Sequence, residues 1–269
     1  MARVAGLACY PVKGCRGVQL DSARVVATGL EWDRQWMIVD DDDRFITQRT
    51  HPRLAVIRPA IMPGALQLDA PGQPTLRVPL DGPRGFRRVV VWNDSCESGD
   101  EGDAAARWLE AVVGESVRLV RATPGMRHAN RMWTGELMSP VTFSDGFPIL
   151  VTNAASLEWV NARLPGPVPM DRFRPNIVVD GLEAFAEDRI AELTIGPVTL
   201  RFVKPCMRCS VPSIDQLTGE QAVDPVAVLR PTRFDRALKG ITFGENAVIV
   251  EGVNATIAVG SDVQVTCDR

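Results

Sequence analysis

Lysine is almost absent from this chain. It occurs at Lys13, Lys204 and Lys239, and every other basic residue is arginine. Histidine is as scarce: His51 and His128 stand apart from each other and from any close pair of cysteines. A structural zinc site takes four Cys or His ligands, often as two close pairs, and the chain holds one C-x-x-C without a second pair. No run of about twenty apolar residues occurs, which excludes a spanning helix. The opening "MARVAGLACYPVKGCRG" has a short apolar run broken by Pro11 and lacks the plan of a secretory signal. With no export signal, the six cysteines at positions 9, 15, 96, 206, 209 and 267 predict a reduced, cytoplasmic protein. A net charge of −3 gives no reason to expect a nucleic acid or an anionic membrane as partner. Internal repeats and low-complexity tracts are also missing.

What is present is an ordinary globular composition, 45% apolar and 23% charged over 269 residues, enough for one large domain or two modest ones. Most of the chain alternates apolar and polar residues at period two between Gly, Pro and Asp turns. "DSARVVATGL", "DRQWMIVDDDDRFITQR", "PRLAVIRPAIMPGALQLDA" and "TLRVPLDGPRGFRRVVVWND" all read as strands and hairpins, with Asp40 to Asp43 as a solvated turn. Helical spacing appears over residues 102–114, closed by Gly114, and over 152–167, where Thr152 or Asn153 serves as N-cap and Leu157, Val160 and Leu164 share a face. Residues 224–240 predict one or two short helical turns, and 122–148 show no clear period. The fold class is mainly β (α+β): two β-rich, barrel-like units with a few packed helices, divided as residues 1–121 and 122–269.

The stretch "KPCMRCSVPSID" carries the chemistry. A thioredoxin-like pair needs its first cysteine at a helix N-terminus, but "VTLRFVKP" before Cys206 reads as a strand and Pro212 follows soon after. Three uses of Cys206 and Cys209 stay open on the residues alone: half of a zinc site, a redox disulfide, or one thiolate that binds a soft metal or carries a persulfide. Lys204 and Arg208 would lower a neighbouring thiol's pKa if they point inward.

Several separated blocks then occur in one order: "CYPVKGCRG", "DRQWMIVD", "TQRTHPRL", "ILVTNAASLEWVNARL", "RFRPNIVVDG", "AFAEDRIAELTIGPVTLRFVKPCMRCSVPSIDQLTGE" and "FGENAVIVEGVNATIAVGSDVQV". Together they resemble the MOSC proteins that carry an N-terminal MOSC β-barrel domain, the group of the mitochondrial amidoxime-reducing component and its bacterial relatives. The resemblance spans nearly the whole chain. Its most specific pieces are the R-F-R-P-N-I-V block and the C-x-R-C block with D-x-x-T-G after it.

The resemblance implies a molybdenum cofactor (molybdenum on a molybdopterin) held between the two units, with Cys209 as the protein's thiolate ligand. It implies cofactor contacts at Lys13, Arg34 and Arg174, whose charges suit a phosphate. Arg49, Thr152, Asn153 and Asn176 are further candidates. Gly14 stands where relatives often have Ser, so a backbone N–H replaces a hydroxyl there, and Ile190 stands where they often have Trp. The implied activity is reduction of small N-hydroxylated compounds such as amidoximes and N-hydroxylamino bases. Asp215 is the carboxylate expected to supply a proton. No ferredoxin-type cysteine array follows the last strands, so electrons are expected from a separate donor protein. The alternative is a carrier of the cofactor or of persulfide sulfur, without turnover of its own.

Overall fold

Alternating patterns become strands wherever turn chemistry closes them. Arg58–Met62 pairs with Ala65–Asp69 across Pro63 and Gly64, and Gly64 takes the left-handed φ of +76° that the second turn position needs. Leu76–Pro79 adds a third strand to this hairpin. A second sheet is ordered Trp36–Val39, Arg118–Ala122, Asp94–Asp100, Gly85–Val91. The turn at Asp40 is closed by its own carboxylate, which accepts from the N–H groups of Asp42 and Arg44. The helix Asp103–Val113 lies against these strands. It ends on Gly114 in the left-handed conformation and buries Ala105, Trp108, Leu109 and Val112. That face joins Trp36, Ile38, Leu54, Leu66 and Leu119 in one apolar core. Each such side chain taken from water contributes about 1.5–3 kcal/mol.

The largest sheet has nine strands. Its path runs Val18–Leu20, Arg3–Cys9, Ile177–Asp180, Ile149–Asn153, Gly240–Glu251, Val198–Met207, Ile190–Ile195, Val263–Cys267, with Phe234–Asp235 paired to Gly240–Glu251 at the side. Beyond this path, Val4 donates to the Ser261 carbonyl and Val263 donates to the Ala2 carbonyl, which curls the sheet towards itself. Two strands from the start of the chain are thus built into a sheet made mostly of the second half. Ser22–Val26 likewise pairs with Thr256–Ala258. The division we propose at residues 121 and 122 falls at the end of Arg118–Ala122 and separates sequence blocks, while hydrogen-bonded sheets run across it.

This computed structural model describes residues 1–267. The chain is mostly β with four α-helices among the described residues, as the patterning predicts. Differences are local and have local causes. "PRLAV" is a 3-10 turn over Pro52–Val56, started by its proline, and not strand. The helix predicted over 152–167 spans Ala154–Asn161. It stops because the Asn161 amide bonds both the N–H and the carbonyl of Val168, turning the chain back before it can extend. Leu157, Val160 and Leu164 still meet in one cluster with Phe173 and Phe243. Residues 224–240 hold one short helix, Arg230–Arg233. Among the described residues, no helix is long and apolar enough to cross a membrane.

Candidate cofactor site

The seam between the first-half sheets and the large sheet gathers most of the residues singled out above. After the strand Arg3–Cys9 the chain bends at Pro11, and Lys13 donates its N–H to the Trp36 carbonyl. Cys15 closes the turn onto Val12, with Gly14 at φ +84°. A serine at that φ would be strained, and its Cβ would stand 3.1 Å from Leu54 Cδ1. Lys13 is 8% exposed, donates to the Phe143 carbonyl at 2.7 Å and pairs with Asp145. Burial draws the Lys13 pKa down, and Asp145 only partly restores it. For Asp145 burial acts upward, but Lys13, Arg34 and Trp92 together pull its carboxyl down to about 2. The Asp145 side chain remains 75% exposed, so it projects into open space beside the lysine.

Arg34 and Arg174 form the centre. Both have left-handed backbones, φ +47° and +55°, unusual for a residue with a Cβ. Their guanidinium carbons lie 4.3 and 4.4 Å from the centroid of one ring, that of Tyr10. Arg34 pairs with Asp33 at 2.5 Å and donates to Asn176 Oδ1 at 3.1 Å and to the Arg174 carbonyl at 3.3 Å. Burial disfavours its charge, but Asp33 outweighs that and raises its pKa. Arg174 is different. Its Nη1 reaches Gln216 Oε1 at 3.3 Å, yet among the described residues no carboxylate lies within ion-pair distance of it. Burial accordingly lowers its pKa.

The cysteine stretch arrives from the other side. The strand Val198–Met207 carries Cys206, and Cys209 follows just past its end as an exposed thiol. No helix begins at either cysteine, which removes the thioredoxin arrangement. Arg208, between the pair, stacks on Phe173 and Phe243 and donates to both of their carbonyls. The residue before Cys209 is thereby pinned to the residue before Arg174. Arg208 does lower the Cys206 thiol, but burial acts more strongly and the net shift is upward. Lys204 instead lies over the Trp133 ring. Among the described residues no group of three or more His, Cys, Asp or Glu converges as a metal cage.

Four expected contacts are engaged elsewhere. Asn153 is the N-cap of Ala154–Asn161, and its amide also donates to the Glu183 carbonyl and to Glu187. Thr152 is fully buried, with its hydroxyl on Met170 Sδ at 3.4 Å. Asn176 accepts from Arg34 and Leu150 and donates to the Ala8 carbonyl, so both ends of its amide are engaged and its oxygen orients Arg34. Asp215 accepts from the N–H groups of Leu217 and Thr218 and from Arg172. Those bonds, led by the Leu217 N–H, hold its carboxyl below the ordinary range, which is the wrong direction for a proton donor. Arg49 is exposed and lies over the Trp92 ring.

The structure adds residues with no local sequence signal. Gln48 and Gln216 exchange two buried hydrogen bonds, of 3.0 and 2.9 Å. Gln48 also holds the Gly14 carbonyl, so the lysine turn, the loop after Cys209 and Arg174 are joined through two amides. Tyr10 and Asp145 likewise carry no local sequence signal of a role in the site. The alternation of cation and aromatic around them becomes visible only when strands far apart in sequence meet.

Residues 1–116 match the MOSC N-terminal beta barrel domain and residues 139–264 match the MOSC domain. The chain is 33% identical to the human mitochondrial amidoxime-reducing component 1 over 97% of its own length and 82% of that protein. It is 34% identical to the rat mitochondrial amidoxime reducing component 2, over 86% of its length and 73% of that protein. A molybdenum cofactor sulfurase from Drosophila grimshawi is 32% identical over 87% of this chain, which spans 31% of the sulfurase.

Proposed function

Because the chain belongs to the MOSC family, in the two-part form with a MOSC N-terminal barrel before the MOSC domain, we propose that it binds a molybdenum cofactor and reduces N-hydroxylated compounds. One observation carries this reading: Arg174, a guanidinium with no carboxylate partner among the described residues, is tied through Phe173 and Arg208 to the exposed thiol Cys209. A cofactor that offers both a phosphate and a metal needs such an anion contact and such a soft ligand on one rigid frame.

The residues present fit that group. Lys13, Arg34 and Arg174 would hold its phosphate and other anionic oxygens, and Cys209 would ligate the metal. The Gly14 N–H has no hydrogen-bond partner among the described residues and would add a donor beside Lys13. Gly244 keeps the backbone close to its neighbour, since a Cβ there would stand 2.7 Å from both the Thr152 Cγ2 and the Val151 carbonyl oxygen. When bound, the cofactor supplies two-electron chemistry that removes oxygen from an N–OH group, with electrons delivered by a separate donor protein. The protein's own part is to fix the anion and present the thiolate. Asp215 is not assigned a proton-transfer role.

The test is direct. Protein produced in a host with intact cofactor synthesis should carry molybdenum and pterin, and should reduce benzamidoxime or N-hydroxylaminopurine with a chemical or enzymatic reductant. A molybdenum-loaded protein without turnover on such substrates would overturn the activity. The similarity to a molybdenum cofactor sulfurase favours a second reading, carriage of cofactor or sulfur. A labile adduct of one sulfur atom in the intact mass, without bound pterin, would select sulfur carriage.

A further inference from the structure

Tyr10 is the one tyrosine in the chain, and it lies against both members of the arginine pair. Its ring is 1% exposed and faces both guanidinium groups. Its main-chain carbonyl accepts the N–H of Arg34 at 2.8 Å, and its own N–H donates to Asp33 Oδ1 at 2.8 Å. The other Asp33 oxygen pairs with Arg34. Its hydroxyl donates to the carbonyl of Pro175, the residue after Arg174, at 3.1 Å. Tyr10 therefore holds the Arg34 backbone directly and the Arg174 backbone through the residue that follows it. The ring edge is seated against Gly17, where an added Cβ would stand 2.5 Å from Tyr10 Cε1.

We propose that Tyr10 is a positioning residue whose ring holds Arg34 and Arg174 together as a two-arginine cradle for a phosphate-bearing ligand. This rests on the reading of those arginines as anion contacts. Two guanidinium groups brought together repel, and Asp33 answers one of them. The negative face of the ring attracts both. It also leaves their N–H edges free of a carboxylate on the Arg174 side. An aliphatic side chain of similar volume would fill the space but offer no such face, so the two cations would separate. The hydroxyl fixes the ring and is secondary to the face itself.

The single tyrosine makes the test specific. The full chain, freed of cofactor and labelled with 3-fluorotyrosine, should give one fluorine resonance. Inorganic phosphate or pyrophosphate should shift it saturably, and Arg174→Gln should move the midpoint of that titration to about tenfold higher ligand. By calorimetry, Tyr10→Phe should bind pyrophosphate within about twofold of wild type, and Tyr10→Leu about tenfold more weakly, the loss expected when charge-assisted contacts are misaligned. If Tyr10→Leu does not fold, Gly17→Ala, which presses on the ring, should weaken binding in the same direction. A resonance unmoved by phosphate, or equal binding by the Leu and Phe variants, overturns the proposal. Tyr10-dependent binding in a protein that never acquires molybdenum supports the cradle and defeats the enzyme reading. A molybdenum-loaded protein whose Tyr10→Leu variant keeps its phosphate affinity does the reverse.

Discussion

The network around Asp100 and the cradle around Tyr10 are both built from arginine, but they balance their charge differently. In the first, Arg118 meets Asp100 at 2.7 and 2.9 Å and Asp103 at 3.0 Å, and Arg87 bridges Asp43 and Asp100. Arg121 beside it takes both oxygens of Glu101. Burial works against the Asp100 charge, but Arg118 and the Gly102 N–H outweigh it and lower its pKa. Every cation there has its anion, and the cluster holds strands to the start of a helix. In the cradle, Asp33 serves Arg34, while Arg174 has an aromatic face and an amide oxygen. A charge the protein itself leaves unanswered points to a ligand; one that is answered points to architecture.

The largest expected effect falls on the metal. Cys209→Ala should lose bound molybdenum, and Cys206→Ala should largely keep it, as read by metal analysis of each purified variant. Retention by the Cys209 variant would place the ligand elsewhere. Asn153 is the next case, because its partners are all internal. Asn153→Ala should destabilise the fold by about 2 kcal/mol, through a lost helix cap and an under-satisfied Glu187. Denaturant unfolding measures that, while pyrophosphate affinity should not change. A loss of affinity at unchanged stability would restore Asn153 as a ligand contact.

The arginines test the contrast itself. Arg174→Gln should reduce pyrophosphate affinity about tenfold, or about 1.4 kcal/mol, with little loss of stability, because it removes an unpaired buried charge. Arg118→Gln should leave that affinity alone and lower stability by about 1 kcal/mol, a figure kept small because its pairs are partly open to solvent. Equal behaviour of the two variants in both assays would erase the distinction.

The smallest effect concerns Asp145. Its folded pKa of about 2 lies below the unfolded value of about 3.9. The stability it contributes is present above about pH 4 and is lost as pH falls towards 2. Asp145→Asn should flatten the pH dependence of unfolding in that window by less than ~1 kcal/mol, since the side chain is exposed. It should also tighten pyrophosphate binding by freeing Lys13. A variant that binds the anion more weakly would show that the aspartate helps to form the site and does not compete for it.

Much of the fold was legible because strand pattern and turn residues are local. The Gly114 cap, the Asn153 cap and the hairpin at Gly64 stand as their sequence neighbourhoods dictate. The helix end at Asn161 was not legible, since it depends on a side chain closing on Val168. In the site, Lys13, Arg34 and Arg174 came from family motifs and do gather at one seam. Thr152 and Asn153 came from their place before a helix, Asn176 from its amide and Asp215 from its nearness to Cys209, and the structure engages all four internally. A motif preserves which residues stand near a site, but it does not say which of their polar atoms remain free.

Sequence by itself determined the mainly β class, the family, and the strand that delivers Cys206 and Cys209 to a loop. Periodicity, turn chemistry and motif order are short-range properties and survive in one dimension. Only the tertiary structure decided that the Tyr10 ring lies against two arginines, that Gln48 and Gln216 join the lysine turn to the cysteine loop, and that Arg174 has no carboxylate partner among the described residues. The physical reason is that charge balance belongs to a neighbourhood in space. Residues more than a hundred positions apart set it, and it exists only once the chain has closed around them.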